Sequence, residues 1–264
     1  MRSYIDVAIE AAREAGAYLL EHKGSIKRDD VDEKARNDFV TFVDKNSEKL
    51  LIEKISSAFP EHYILAEEGG QTDTDTNYRW IIDPLDGTKN FIQDIPFFCV
   101  SIALQKGPDM LVGVVYDPVH DELFSAEKGG GAYLNDQPIK ISHRPFHQGI
   151  IATGFPFKYK AYLPQYLKTF QDIFLKCSGI RRCGSAALDL CYTAAGRFEG
   201  FWELGLSPWD IAAGSLLVKE AGGVVTDFWG TPSFLQSGFV IAGNEDVRQN
   251  IQEIVNYHFP HQKH

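Results

Sequence analysis

Two carboxylates stand three positions apart in Trp80-Ile81-Ile82-Asp83-Pro84-Leu85-Asp86-Gly87-Thr88. Three residues of buried type lead into them as a short strand. Pro84 fixes its own φ and stiffens the turn, and Gly87 permits a sharp bend and close approach of a ligand. Thr88 opens the next element, where backbone N–H groups can face an anion. A hard cation such as Mg²⁺ takes several oxygen ligands in octahedral geometry. Asp83, Asp86 and the Leu85 carbonyl can supply some of them from one rigid turn. Every residue of the segment also favours turns, so metal chemistry here requires further carboxylates from elsewhere in the chain.

Such carboxylates are present. Glu67-Glu68-Gly69-Gly70 follows the strand-like Tyr63–Ala66, which puts Glu67 at a strand end. In Ser207-Pro208-Trp209-Asp210, Ser207 is an N-cap candidate and Pro208 fits the first helical position. Asp210 then falls where a capping-box carboxylate or a ligand would stand. Asp38 and Asp44 flank Phe39-Val40-Thr41, and Asp44 also suits a helix cap. Gly184-Ser185-Ala186 opens a helix whose N–H groups can meet an anion or hydroxyl. Arg181 and Arg182 precede it and can contact a phosphate or polyol. Glu203, at a strand end, can accept hydrogen bonds from sugar hydroxyls.

The elements that must position these groups follow from periodicity. Residues 4–21 and 44–58 read as amphipathic helices, with residues 24–38 between them as an aperiodic, mobile polar loop. Strand-like stretches follow at 63–66, 80–82, 97–105, 110–116 and 122–126. The second half alternates: strands at 150–153, near 180, 198–202, 224–227 and 239–242, and helices at 161–175, 185–196, 208–221 and 246–258. The first half reads as α+β and the second as α/β. Two lobes, 1–142 and 143–264, are expected, the first carrying most of the metal ligands.

Apolar residues at 44% and charged residues at 23% exclude a disordered chain. A net charge of −10 disfavours nucleic acid and anionic membrane as direct partners. No apolar run is long enough to span a bilayer, and Asp6, Glu10, Arg13 and Glu14 break the start as a signal peptide. A cytoplasmic location is the expectation. Cys99, Cys177, Cys183 and Cys191 lack paired zinc-site spacing and read as reduced thiols. A disulfide among the last three stays open.

The Asp83-Pro84-Leu85-Asp86-Gly87-Thr88 segment, with Glu67-Glu68 before it and Trp209-Asp210-Ile211-Ala212-Ala213-Gly214 after it, resembles the signature pair of the inositol monophosphatase family. Asn37 to Asp44, Arg182-Cys183-Gly184-Ser185-Ala186 and Glu203-Leu204-Gly205 extend the resemblance over nearly the whole chain. It is nearest to bacterial and archaeal members, some of which also accept fructose 1,6-bisphosphate. The resemblance implies a five-layer αβαβα sandwich of the sugar phosphatase type, a homodimer and sensitivity to lithium. It implies two to three Mg²⁺ ions. Glu67, Asp83 and the Leu85 carbonyl would hold the first. Asp83, Asp86 and Asp210 would hold the second, and Glu67 would assist a weaker third. Thr88 and Asp44 would orient and deprotonate the attacking water. Gly87 and Thr88 would cradle the phosphate, and Asp86, Arg181, Gly184, Ser185, Ala186, Glu203 and Asp210 would surround the polyol. Lys89 departs from the family pattern, standing where a second Thr is frequent, and the lysine of the polar loop, Lys34, is not easily aligned.

Hydrolysis of inositol 1-phosphate to inositol and phosphate is the activity the resemblance implies. The alternative is a fructose-1,6-bisphosphatase or a dual-specificity enzyme, with Arg182, Lys158 or Lys160 reaching a second phosphate. A nucleotide such as 3′-phosphoadenosine 5′-phosphate is less favoured, because no adenine-stacking signature stands out. A non-enzymatic alternative is a partner of the transcription machinery.

Overall fold

The computed structural model describes residues 3–26, 31–35, 38–69 and 76–260, excluding the side chains of 31–35 and 38–40. Helix α1 (Tyr4–His22) leads to an antiparallel pair, β1 (Val31–Ala35) and β2 (Asp38–Thr41), and then to α2 (Phe42–Ala58). A seven-stranded sheet follows: β3 (Tyr63–Ala66), β4 (Tyr78–Asp86), β5 (Cys99–Lys106), β6 (Asp109–Asp117), β7 (Glu122–Glu127), β8 (Gly131–Leu134) and β9 (Gln137–Ile139). The short α3 (Thr88–Ile92) interrupts it after β4. The remaining elements are β10 (Ile150–Thr153), α4 (Leu163–Phe174), β11 (Gly179–Arg181), α5 (Ala186–Ala194), β12 (Gly200–Leu204), α6 (Pro208–Glu220), β13 (Val224–Thr226), α7 (Phe234–Ser237), β14 (Phe239–Gly243) and α8 (Glu245–His258). The five strands among them form a mixed sheet ordered β11-β10-β12-β14-β13.

The polar stretch 24–38 is therefore not a loop throughout, because Val31–Ala35 pairs with β2. A partner strand supplies hydrogen bonds that no local periodicity announces. Lys34 and Asp38 lie in these strands with their side chains outside the described residues, as Asn37 and Gly70 are altogether.

Three apolar clusters fill the four interfaces between five structural layers, the central one lying on both sides of its helices. On the seven-stranded sheet, Trp80, Ile82, Val100, Ile102, Leu104, Val112 and Val114 face α1 and α2. The alternate residues Ile81, Cys99, Ala103 and Val115 face α5 and α6. Such period-2 alternation with both faces apolar marks a sheet covered on both sides. The five-stranded sheet repeats the pattern. Phe201, Val240 and Ala242 join the α5–α6 layer, while Trp202, Leu204 and Ile241 pack outward with residues of α4 and α8. The order is helices, sheet, helices, sheet, helices: the αβαβα sandwich. Helix α6 lies so close to β6 that a Cβ at Gly113 would approach the Ala213 carbonyl oxygen to 2.8 Å. All four cysteines are free. Among the described residues no helix is long and apolar enough to cross a membrane.

A carboxylate cluster at the edge of two sheets

On an unbroken strand, residues three apart face opposite sides. Asp83 and Asp86 do not, because the pairing of β4 with β5 slips by one residue between them. Asp83 stands opposite Ser101, and Asp86 opposite Cys99. Ser101 and Cys99 are two apart and share the face toward α5 and α6. The Ser101 hydroxyl reaches the Trp209 carbonyl at 3.3 Å, and the Cys99 sulfur lies 3.6 Å from Ser185 Oγ. The extra residue is a β-bulge at Pro84-Leu85, a place where Pro is tolerated. It turns both carboxylates to one side and leaves main-chain carbonyls outside the ladder. Ser47 Oγ on α2 donates to the Pro84 carbonyl at 3.0 Å, and Thr88 Oγ1 lies 3.1 Å from that of Leu85.

Asp210 arrives from α6. Its Oδ2 accepts the Ser207 N–H at 2.7 Å, so the capping role read from Ser207-Pro208-Trp209-Asp210 is made. The same carboxylate also joins Asp83 and Asp86, one ligand-type oxygen of each lying within 4.8 Å of the others. Capping and clustering were competing readings, yet one side chain does both. Each member has an oxygen held locally. Asp83 Oδ1 accepts the Leu85 N–H at 3.0 Å, and Asp86 Oδ2 accepts Ser185 Oγ at 2.6 Å and the Ala187 N–H at 2.8 Å. Gly87 turns the chain at φ +95°, where a Cβ would press on the Phe97 carbonyl oxygen at 3.0 Å.

Burial, followed by the charges of Glu67, Asp86 and Asp210, pushes the Asp83 carboxyl well above the usual carboxylate range. Burial, followed by Asp86 and Glu67, does the same to Asp210, and burial raises Asp86. Buried like charges resist ionising together, and a divalent cation reverses that logic. The donor set is all oxygen, as a hard cation requires. Glu67 stands at the end of β3 and is half-buried; it is not among the three clustered carboxylates, yet its charge acts on two of them. Glu48 on α2 accepts the neighbouring Glu68 N–H at 2.6 Å. Ser47 and Glu48 were not singled out from sequence. Their signal is that both are polar yet buried on an amphipathic helix.

Asp44 is buried at the third position of α2. Its Oδ2 accepts from the Thr41 N–H at 2.8 Å and the Thr41 hydroxyl at 2.6 Å, and its Oδ1 lies 3.1 Å from Thr88 Oγ1. Burial raises its carboxyl, and the bonds from Thr41 and Thr88 oppose that.

A cleft of about 110 Å³ opens beside the cluster, lined among others by Asp86, Gly184, Ser185, Ala186, Glu203 and Asp210. Arg182 lines it too, whereas Arg181 does not: its guanidinium is exposed and bonds to the Ile180 carbonyl. Alternation along the chain turns adjacent arginines apart, so the expectation for Arg181 moves to Arg182. Burial, followed by Asp189 at the buried start of α5, lifts Glu203 to about 8. A Cβ on Gly154 would overlap the Glu203 carboxylate. We therefore expect Gly154→Ala to displace Glu203 and weaken binding of a hydroxylated substrate about tenfold, the upper end of the scale of one ordinary hydrogen bond. A rise in KM with little change in kcat is the expected kinetic signature.

The fold and cluster are those of a metal-dependent phosphatase class, and the chain belongs to the inositol monophosphatase family, whose profile matches residues 1–261. The Nus factor SuhB of Vibrio cholerae is 45% identical over 259 residues, covering 96% of this chain and 97% of its own. Among solved structures, the extragenic suppressor protein suhB of Bartonella henselae superposes with a TM-score of 0.91 at 42% identity, covering 95% of this chain and 97% of its own. The inositol monophosphatase of Anabaena sp. PCC 7120 gives 0.86 at 40% identity, covering 96% and 95%.

Proposed function

We propose that the protein is a Mg²⁺-dependent phosphomonoesterase that hydrolyses inositol 1-phosphate and related sugar phosphates. The observation that carries this reading is the convergence of Asp83, Asp86 and Asp210 on one point beside a polar cleft. Asp83, Asp86, Asp210, Glu67 and the Leu85 carbonyl would hold the ions. The oxygens fixed by Leu85, Ala187 and Ser207 leave these carboxylates little freedom to chelate through both atoms. That restraint suits Mg²⁺ better than Ca²⁺, which often binds bidentately. Bound there, such ions neutralise phosphoryl charge, stabilise the leaving oxygen and acidify water.

The chain's own residues do the rest. Gly87 and Thr88 N–H groups would face the phosphate. The Thr88 hydroxyl has one proton and two acceptors nearby, Asp44 and the Leu85 carbonyl. Were the Leu85 carbonyl to hold an ion, the hydroxyl would donate to Asp44. Its lone pairs would then accept a proton of the attacking water as its own proton passes to Asp44. Water oxygen bonds to phosphorus as the ester P–O bond breaks, and the sugar oxygen is protonated from solvent. Ser185, the Gly184 and Ala186 main chain, Glu203 and Arg182 would position the ring. A homodimer in the cytoplasm is the expected working form.

Phosphate release from inositol 1-phosphate tests this reading. We expect release with Mg²⁺, loss on chelation and recovery on adding Mg²⁺ back. Folded protein that releases no phosphate with saturating Mg²⁺ would overturn it. A second role, as a partner of the transcription machinery, is favoured by the name Nus factor carried by the Vibrio cholerae relative. Retention of RNA polymerase on immobilised protein, with and without Mg²⁺, would test it.

A further inference from the structure

Two further clefts continue the one beside the carboxylate cluster. The next, of about 130 Å³, shares Arg182, Glu203, Leu206 and Asp210 with it. Of the cations weighed from sequence for a second phosphate, Lys158 and Arg182 border this middle cleft and Lys160 does not. The third is the roomiest, about 190 Å³, and shares Tyr159, Leu204, Gly205 and Leu206 with the middle one. The three therefore form one track past the end of β12. Glu203 to Leu206 spans at most about 10 Å of chain, the reach of two linked sugar rings.

The third cleft has its own chemistry. Tyr159, Tyr162 and Phe239 wall it, Gln236 and Ser237 add an amide and a hydroxyl, and among the described residues none of its lining is charged. Tyr159 and Tyr162 are 50% and 38% exposed, so their rings are open to a ligand. Both are nevertheless held. The Tyr162 N–H donates to the Tyr159 carbonyl at 3.0 Å, and the Tyr159 N–H to that of Pro156 at 3.1 Å. The Tyr162 ring stands edge-on to Phe239, with centroids 5.7 Å apart. The Tyr159 ring lies against Gly205, where a Cβ would overlap it. Fixed, exposed aromatic rings bind at small entropic cost. The lining supplies no counter-charge for an ionic ligand. A wholly apolar ligand would strip water from Gln236 and Ser237 without replacing its hydrogen bonds. A sugar ring meets both demands: its slightly positive C–H faces rest on the negative aromatic faces, and its hydroxyls bond to the amide and hydroxyl.

We infer that this annex takes a second, uncharged sugar ring of the substrate, so that phosphate esters of disaccharides are preferred over those of single sugars. The inference rests on the phosphatase reading above. The carboxylate cluster takes the phosphate, the first ring follows it into the track, and the ring linked opposite the phosphate reaches the annex. The reaction is unchanged: water oxygen bonds to phosphorus, the ester P–O bond breaks, and the disaccharide leaves with its oxygen protonated from solvent. Tyr162 and Gln236 are specificity-determining residues remote from the chemistry.

The test compares kcat/KM for maltose 1-phosphate and glucose 1-phosphate in the full-length protein with Mg²⁺, with inositol 1-phosphate as the single-ring control. Wild type should prefer the disaccharide ester about tenfold, the sum of one ring contact and one hydrogen bond. That preference should persist at high ionic strength, since no charge contributes to it. Tyr162→Ala and Gln236→Ala should each lower it about three- to fivefold, whereas Tyr162→Phe should keep it. Turnover of inositol 1-phosphate should stay within about twofold of wild type in all three, which also reports that they fold. A wild type that cleaves inositol 1-phosphate without preferring the disaccharide ester, or alanine variants that both keep the preference, would overturn the annex alone. Release from none of the three substrates would overturn the phosphatase reading and the annex with it.

Discussion

Asp83→Asn will lower phosphate release about 10³-fold or more, while its metal-free form unfolds no more easily than the wild type. The two halves of this outcome have one cause. Lewis-acid stabilisation by bound metal is worth several kcal/mol, and about 4 kcal/mol is a thousandfold in rate. Asp83 is the most buried member of the cluster, and the charges of Glu67, Asp86 and Asp210 all act on it. An unfolded aspartate titrates near ~3.9, and the folded, metal-free group titrates well above that. Between those two values the folded chain holds more protons than the unfolded one, so stability falls as pH rises through the window. The amide removes the charge and therefore that loss. Wild type should regain stability on adding Mg²⁺, about 2.7 kcal/mol at a hundredfold excess over Kd, and the variant should gain far less. Calorimetry with and without Mg²⁺ beside a rate assay checks both halves. A folded variant with near-normal activity would remove Asp83 from the metal site.

The second large effect is at Thr88. Thr88→Ala should cost about 10²–10⁴ in kcat, the range for a positioned proton acceptor, whereas Thr88→Ser should keep most of it. The hydroxyl is what Asp44 receives, and serine supplies one from the same atom position. The pH profile separates this role from simple packing. The Thr88 bond holds the Asp44 carboxyl down against burial. Its loss should move the acid limb of the residual activity to higher pH. Equal losses in both variants, with an unmoved profile, would rule out the proton path through Thr88.

Much of this arrangement was legible in sequence where local chemistry speaks for itself. Ser207-Pro208 with Asp210, and Thr41 with Asp44, announce helix starts, and both caps form. Apolar runs bounded by turn residues placed the long strands, because both faces of the sheets are buried. The rest was hidden for identifiable reasons. Strand β4 runs on through Asp86, although Pro84 reads as a stop, because a bulge accommodates it. Strands β8 and β9 and helices α3 and α7 are short and carry little periodic signal. Phe155 and Phe157, which stand exposed at a cleft, are not singled out by any motif in the sequence. Nothing local distinguishes Arg181 from Arg182; only the path of the chain turns one toward the cleft.

The bulge at Pro84-Leu85 also bears on how such a site tolerates insertion and deletion. Removing one of those two residues would pair β4 with β5 without a slip and would still set the two aspartates on one face. Orientation of the charges is thus indifferent to the spare residue. What the deletion would take away is slack main chain: the Leu85 carbonyl would return to the ladder and Ser47 would lose its acceptor. A strand of this kind therefore stores its two kinds of ligand separately, the acids in its parity and the neutral oxygen in its surplus length. Shortening it would edit one without touching the other.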